Sequence, residues 1–421
     1  MLGWLTTRST VPTDLASVTT IAHKNEIDPR AVGVDPVAVE RIWASVERLY
    51  RTGIHPALQL CVRRHGQVIL DRAIGHAAGN GPHDPPDVEK KPATPKTPFN
   101  IFSASKAVTA MVVHLLDQDN LLRLDDPVAE YIPDFGRHGK DKITIRHILT
   151  HRAGMPRLPP EAMNLDNIAD RAKLMRIFAD ATPTSVPGRL LAYHALSGGF
   201  ILGELVWRIT GKDIRRVLEE RILEPLGFRW MRYGVRKKDL GRVALNYHTG
   251  PPQLPFIEMA LRRALGVEVR EAAAMSNDPR YLLGTVPAGN VVTTANELSR
   301  FFQLLLNGGE LDGVRIFDSR TVRRATTEES YLEMDMMLGV PIRYGQGFML
   351  GGRWLSLYGP DTEHAFGHLG FSNIIGWADP ERQVAAALMN NGKPILYPEL
   401  LFAADIPRQI GLACPKVTRP A

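Results

Sequence analysis

Phe99-Asn100-Ile101-Phe102-Ser103-Ala104-Ser105-Lys106 runs directly into Ala107-Val108-Thr109-Ala110-Met111-Val112-Val113-His114-Leu115-Leu116. Pro98 precedes the first part, which reads as an extended approach. In the second part Val108, Met111, Val112 and Leu115 recur at three- and four-residue spacing, which predicts a helix. Ser103 stands where that helix begins, and Lys106 follows one turn later on the same face, within side-chain reach. A helix N-terminus leaves backbone N–H groups unpaired beside a positive dipole end. A serine placed there with an amine at hand has what a nucleophile needs: a group to manage its proton and donors for a developing oxyanion. A serine N-cap followed by a solvated lysine would read the same way, so Ser-x-x-Lys alone decides nothing.

Outward from this junction the pattern is of sheet at both ends and helix between. Asp35-Pro36 is an N-cap with proline at the first helical position, and Val39, Ile42, Trp43, Val46, Leu49 and Tyr50 line one face of the helix that follows. Leu58, Leu60 and Val62 alternate with Gln59, Cys61 and Arg63; His65-Gly66 makes a turn, and Gln67 to Ile74 returns as the second strand of a hairpin. Residues 79–98 are rich in proline, glycine and charge, and read as a surface loop. Short helical turns are expected after Asp125-Asp126-Pro127 and over Ile143 to Met155, and Leu174 to Ile222 is mostly helical. Thr294-Ala295-Asn296-Glu297 predicts a capping box, with its helix ending at Asn307-Gly308-Gly309. Phe371 to Ala378 and Val384 to Met389, joined by Asp379-Pro380-Glu381-Arg382, form a second hairpin.

The economical architecture is α/β of the α+β type: an antiparallel sheet flanked by N- and C-terminal helices, interrupted by a mostly helical domain. Residues 35–105 and 286–421 would build the sheet domain and 106–285 the helical one, with 1–34 as an N-terminal arm. Segment 245–285, with an amphipathic stretch over 256–265, reads as a lid over a cleft or as a surface insertion.

Composition bounds the function. The 421 residues, 44% hydrophobic and 23% charged, suffice for a large core. The net charge of +6 is spread over short pairs such as Lys90-Lys91, Lys237-Lys238 and Arg262-Arg263. That is the pattern of scattered solvated charge, and no nucleic-acid partner is expected. Of two cysteines, Cys61 falls in an apolar run and reads as a buried free thiol. No Cys-x-x-Cys or His-Glu-x-x-His occurs, so zinc has no sequence support. Met1 to Thr7 has no charged leader, long apolar run or cleavage site, and no apolar run reaches the ~18 residues of a membrane span. A cytoplasmic protein is the default expectation, with peripheral membrane contact left open.

Two further segments carry chemistry. Tyr193 lies in Leu191-Ala192-Tyr193-His194-Ala195-Leu196-Ser197-Gly198-Gly199-Phe200, expected to open a helix. Beside a lysine ammonium its phenolate would be favoured, which would make it a general base. His368 lies in Phe366-Gly367-His368-Leu369-Gly370-Phe371, just before the second hairpin, where glycines would let a ligand approach the backbone. Taken singly, a satisfied core tyrosine and a structural histidine are the plainer readings.

The ordered set is more specific than its members. Ser103-Ala104-Ser105-Lys106, then Tyr193, then His368-Leu369-Gly370 resembles the serine β-lactamase and penicillin-binding protein superfamily, and most of all family VIII carboxylesterases and class C β-lactamase-like hydrolases. Leu124-Asp125-Asp126-Pro127-Val128, the stretch from Ile145 to Pro156, Asn307-Gly308-Gly309 and Tyr344-Gly345-Gln346-Gly347-Phe348 fit the same pattern. The resemblance implies a β-lactamase/transpeptidase-like fold and a two-step acyl transfer. Ser103 would be the acylated nucleophile, Lys106 its proton carrier and Tyr193 their partner. The backbone N–H groups of Ser103 and Phe371 would form the oxyanion hole, and His368, Leu369 and Gly370 would bind substrate. No cofactor is implied.

Two departures bear on the substrate. β-Lactamases usually carry asparagine two residues after the tyrosine, where this chain has Ala195, and lysine at the start of the third motif, where it has His368. Both changes remove groups that recognise a β-lactam or peptide and keep the ester-cleaving core. The absence of Gly-x-Ser-x-Gly removes the α/β-hydrolase reading. The expected activity is hydrolysis of small carboxylic esters with short to medium acyl chains, as a carboxylesterase or lipase. The alternatives are a β-lactamase, D-amino-acid peptidase or acyltransferase on the same site, and a catalytically silent binding or assembly protein.

Overall fold

The computed structural model describes residues 7–255, 258–259, 261–262, 266–354, 356–395 and 397–417. Met1 to Thr6, and Phe256, Ile257, Ala260, Arg263, Ala264 and Leu265 of the expected amphipathic stretch, lie outside the described residues.

Asp35 caps the first long helix, Pro36–Arg51, by accepting from the Val37 N–H, and the apolar face read from the sequence is buried throughout. The first hairpin joins Ala57–Arg64 to Gln67–Ala78. Its turn needs a left-handed backbone at two successive residues, supplied by His65 (φ 50°) and Gly66 (φ 80°). The second hairpin joins Ile375–Asp379 to Val384–Asn390, its turn held by Asp379 Oδ1, which accepts from the N–H groups of Glu381 and Arg382. Phe371 to Ile374 stays outside the strand: Ser372 and Asn373 take φ of 58° and 66° and turn the chain there.

The two hairpins merge into one antiparallel sheet because Val384–Asn390 pairs with Ala57–Arg64. Across it the strands run Thr19–Ile21, Gln67–Ala78, Ala57–Arg64, Val384–Asn390, Ile375–Asp379, Phe366–Leu369, Met349–Leu350, Val340–Tyr344 and Ser330–Asp335. The outermost strand, Thr19–Ile21, comes from the region expected as an arm.

Each sheet face has its own core. Leu58, Leu60 and Val62 point toward the helices Pro36–Arg51 and Leu400–Ala413, packing with Ile42, Val46, Ile406 and Ile410. The opposite face carries small residues, Ala57, Cys61, Ala385 and Ala387, which admit the helix Ala295–Leu306, while the helix Ser105–Gln118 meets the sheet at the strand Phe366–Leu369. Gln59 and Arg63, the expected polar partners in the alternation, are buried on that second face. Gln59 donates to the carbonyls of Thr94 and Thr97, and Arg63 to the Ser299 hydroxyl, so neither is left unpaired.

The box at residues 294–297 forms by half. Thr294 accepts from the Glu297 N–H, but the Glu297 carboxylate turns away to accept from the N–H groups of Arg229 and Trp230 at 2.8 Å each. The glutamate thereby ties the helix Ala295–Leu306 to the start of the strand Arg232–Tyr233. That strand pairs with Val291–Thr293, which in turn pairs with Phe99–Asn100, the approach to Ser103.

Candidate active site

The chain reaches Ser103 through a strained step. Phe102 adopts φ of 47°, costly for a residue with a bulky side chain, and is held by its own N–H to Asn100 Oδ1 and by ring contact with Phe371 at 5.4 Å. A short 3₁₀ turn, Phe102–Ala104, carries Ser103 ahead of the α-helix Ser105–Gln118. Ala104 occupies the cap position of that helix, so the Ser103 side chain is free of capping duty.

Lys106 points back one turn. Its Nζ lies 3.1 Å from Ser103 Oγ and donates to the carbonyls of Ala195 (2.6 Å) and Ala288 (3.2 Å). No carboxylate pairs with it among the described residues, and burial lowers its pKa from 10.5 to about 7. Near neutral pH a large fraction of this lysine is therefore a free amine, able to take a proton from Ser103.

Tyr193 stands in the loop before the helix Ser197–Thr210, not at its opening. Its ring lies beneath Lys106 Nζ at 4.8 Å. The expected phenolate does not form: burial raises the pKa of the phenol, and the neighbouring Ser103 hydroxyl, which works the other way, is outweighed. Tyr193 is a neutral donor and acceptor here, suited to passing a proton on.

His368 lies within the strand Phe366–Leu369, its ring 6.4 Å from that of Tyr193. Burial lowers its pKa to about 3, with Lys106 adding to the shift, so it is neutral. Its Nδ1 is 2.8 Å from the Leu369 carbonyl, which places the ring proton on that nitrogen. The glycines beside it are required by the packing, and Gly370 also lines the cavity at Ser103. A Cβ at Gly367 would strike the Gly376 carbonyl at 2.2 Å, and one at Gly370 the Ile101 carbonyl at 2.3 Å. Gly370 thus lets the strand end dock against the approach to Ser103, which sets Phe371 beside Phe102.

Residues the sequence reading passed over hold this arrangement. Asp335 is fully buried; its Oδ1 accepts from the N–H groups of Tyr193, Met337 and Leu338, and its Oδ2 from the Tyr344 hydroxyl at 3.1 Å. His151 packs on Tyr193 at 4.7 Å and accepts from the His194 N–H. A lone aspartate in Glu333-Met334-Asp335 carries no sequence signal for such a role.

Ser103 opens onto a cavity of about 300 Å³ lined by Phe102, Leu196, Met349, Leu369, Phe371 and Ile395 among others. Leu261, Ala272, Met275 and Tyr281 of segment 245–285 form part of the wall. Ala195 is among its lining residues, so the position that could have carried an asparagine amide offers an apolar side chain. No group of three or more potential metal-ligating side chains occurs among the described residues.

Known proteins share this frame. The Beta-lactamase family model matches residues 46–399. The esterase/beta-lactamase LipL of Mycobacterium tuberculosis is 33% identical over 314 residues, covering 69% of this chain and 68% of that one. A penicillin-binding protein homolog from Caulobacter crescentus superposes with a TM-score of 0.77 at 26% identity, over 90% of this chain and 99% of its own. A family VIII carboxylesterase does so at 0.74 and 26%, over 88% and 96%.

Proposed function

This chain belongs to the Beta-lactamase family, within the β-lactamase-like serine hydrolases, and on that premise we propose that it cleaves carboxylic esters of short to medium acyl chain. One observation carries the reading: Lys106 Nζ, without a carboxylate partner among the described residues, lies 3.1 Å from Ser103 Oγ at the edge of a largely apolar cavity that Ala195 lines where an amide could have stood.

In this reading Ser103 Oγ attacks the ester carbonyl as its proton passes to Lys106 Nζ. The carbonyl oxygen becomes an oxyanion facing the N–H groups of Ser103 and Phe371. Collapse expels the alcohol, which takes a proton relayed from Lys106 through the Tyr193 hydroxyl. Water then enters, loses a proton to the same pair and attacks the acyl carbon; the acid leaves and Ser103 regains its proton. The apolar wall holds the acyl or alcohol chain. The carboxylesterase among the similar structures supports the choice of ester, and the relative named both esterase and beta-lactamase keeps lactam hydrolysis as the alternative.

Labelling with a fluorophosphonate, beside p-nitrophenyl ester and chromogenic cephalosporin assays, tests it. Ser103 should be the labelled residue and the esters the better substrates. Absence of labelling would leave a silent binding protein, and faster lactam turnover a β-lactamase.

A further inference from the structure

The stretch from Arg229 to Arg242, Arg-Trp-Met-Arg-Tyr-Gly-Val-Arg-Lys-Lys-Asp-Leu-Gly-Arg, carries six basic residues and one acid. Viewed as a line it looks like the scattered charge found elsewhere in the chain. In the fold it is a cluster. The strand Arg232–Tyr233 runs out beside Val291–Thr293, and the 3₁₀ turn Lys237–Arg242 brings the chain back over it. Arg229, Arg232, Arg236, Lys238 and Arg242 consequently line one cavity of about 290 Å³, with Trp230 and Asp239 completing the wall. None of these residues lines the Ser103 cavity.

Carboxylates compensate only part of this charge. Arg232 pairs with Glu219 at 3.1 Å, and Arg242 meets Asp239 at 3.5 Å. Arg229, Arg236 and Lys238 have no ion pair or side-chain hydrogen bond among the described residues. The backbone of the cluster is fixed, since the buried end of Glu297 accepts from the N–H groups of Arg229 and Trp230. Trp230 is 6% exposed, with the Arg229 and Arg242 guanidiniums 5.7 and 5.2 Å from its ring, so it offers little surface on which a nucleobase could stack.

Like charges converging on one concavity repel, and the focused field draws a multivalent anion. Guanidiniums and an ammonium around a small polar hollow match the tetrahedral oxygens of phosphate, which arginine grips in pairs of hydrogen bonds. We propose that this cavity is a binding site for a phosphate group, free or as the headgroup of an anionic phospholipid. The site is separate from the hydrolase reading and stands or falls without it.

The test uses the full chain. Calorimetric titration with inorganic phosphate and pyrophosphate probes the free ligand. Co-sedimentation with phosphatidylcholine vesicles, with and without phosphatidic acid, probes the headgroup. The variant R229Q/R236Q/K238Q removes the three unpaired cations. K90Q/K91Q/K96Q removes as many exposed charges from another surface and controls for net charge. Saturable binding to either probe that falls at least about tenfold in the first variant and stays near wild type in the second supports the site, and the probe bound names the source. No saturable binding to either probe, or equal losses in both variants, overturns it. Both variants change exposed or half-exposed side chains, and matching thermal melts show that a loss is not unfolding.

Discussion

Lys106 Nζ lies 4.8 Å from the centre of the Tyr193 ring, over its face, while its hydrogen bonds go to Ser103 Oγ and two backbone carbonyls. Among the described residues neither ionisable group has a counter-ion. Burial acts on both in the direction of neutrality, lowering the lysine and raising the tyrosine. Burial thus favours amine and phenol, and in the proposed mechanism the amine serves as the base.

That assignment fixes a pH profile. The kcat/KM for a neutral p-nitrophenyl ester should rise with pH to a plateau, with a midpoint near the value of about 7 at which Lys106 loses its proton. His368, at about 3, and Tyr193, raised by burial, both titrate away from that limb. A stopped assay from pH 5 to 9 reads it, and a flat profile across neutrality would remove Lys106 from the role.

The same shift changes stability. In the unfolded chain Lys106 titrates near 10.5 and in the native one near 7, so between those values the unfolded state binds more protons. Stability then rises with pH across that window, by roughly 1.4 kcal/mol per pH unit from this group. Buried Lys393, also lowered, adds in the same direction. Urea midpoints at pH 7 and 9 should show a smaller difference in Lys106→Met than in wild type. An unchanged difference would mean that the native lysine keeps an ordinary pKa.

Ser103→Ala should abolish turnover and fluorophosphonate labelling while the melting temperature moves by little. Ala104 holds the cap position, so the usual ~1 kcal/mol cost of losing a serine cap does not arise. Retained ester hydrolysis would end the assignment.

Asp335→Ala should be the most damaging change outside the reacting groups. It strands the N–H groups of Tyr193, Met337 and Leu338 and the Tyr344 hydroxyl, at ~1–3 kcal/mol for each one left unsatisfied. Asp335→Asn keeps one acceptor oxygen for the three N–H groups, and its amide can face a hydroxyl that also accepts. Thermal melts and kcat should rank wild type, Asn and then Ala; an Ala variant as stable and active as Asn would refute the role.

Selectivity follows from Ala195 and His368. A cephalosporin carries a carboxylate and an amide that find no charged or amide side chain at these positions, at ~1–3 kcal/mol each. Two such losses correspond to about a hundredfold or more in kcat/KM relative to a neutral ester. The double variant Ala195→Asn/His368→Lys should narrow the gap. Equal turnover of both substrates by the wild type would contradict this account.

Much of this was legible because it is periodic or positional. The helix Pro36–Arg51, both hairpins and the Ser103–Lys106 turn follow from spacing, caps and turn residues. What stayed hidden depends on distant partners. Burial reversed the expected ionisation of Tyr193, and no local pattern encodes burial by residues more than a hundred positions away. Glu297 left its capping box because two N–H groups of another segment were closer to hand. Asp335 looks like any acid on a strand until the loop at Tyr193 folds onto it. The basic cluster was present in the sequence as six cations within fourteen residues. Judging charge by adjacent pairs missed it, because a strand and a tight turn gather residues three and four apart.

The pairing of Ala57–Arg64 with Val384–Asn390 has a consequence for how the molecule comes into being. The Ala57 N–H bonds to Asn391 Oδ1, 334 residues further on. At ordinary rates of synthesis roughly a quarter of a minute to a minute separates the emergence of these segments from the ribosome. Throughout that interval the first hairpin has an unpaired edge, which a nascent chain must keep from other chains. Ser103 and Lys106 emerge early in that wait, whereas Phe371 arrives only with the closing strands. The growing polypeptide thus carries its serine and lysine without the far wall of the pocket until the later-made strands zip onto the first hairpin.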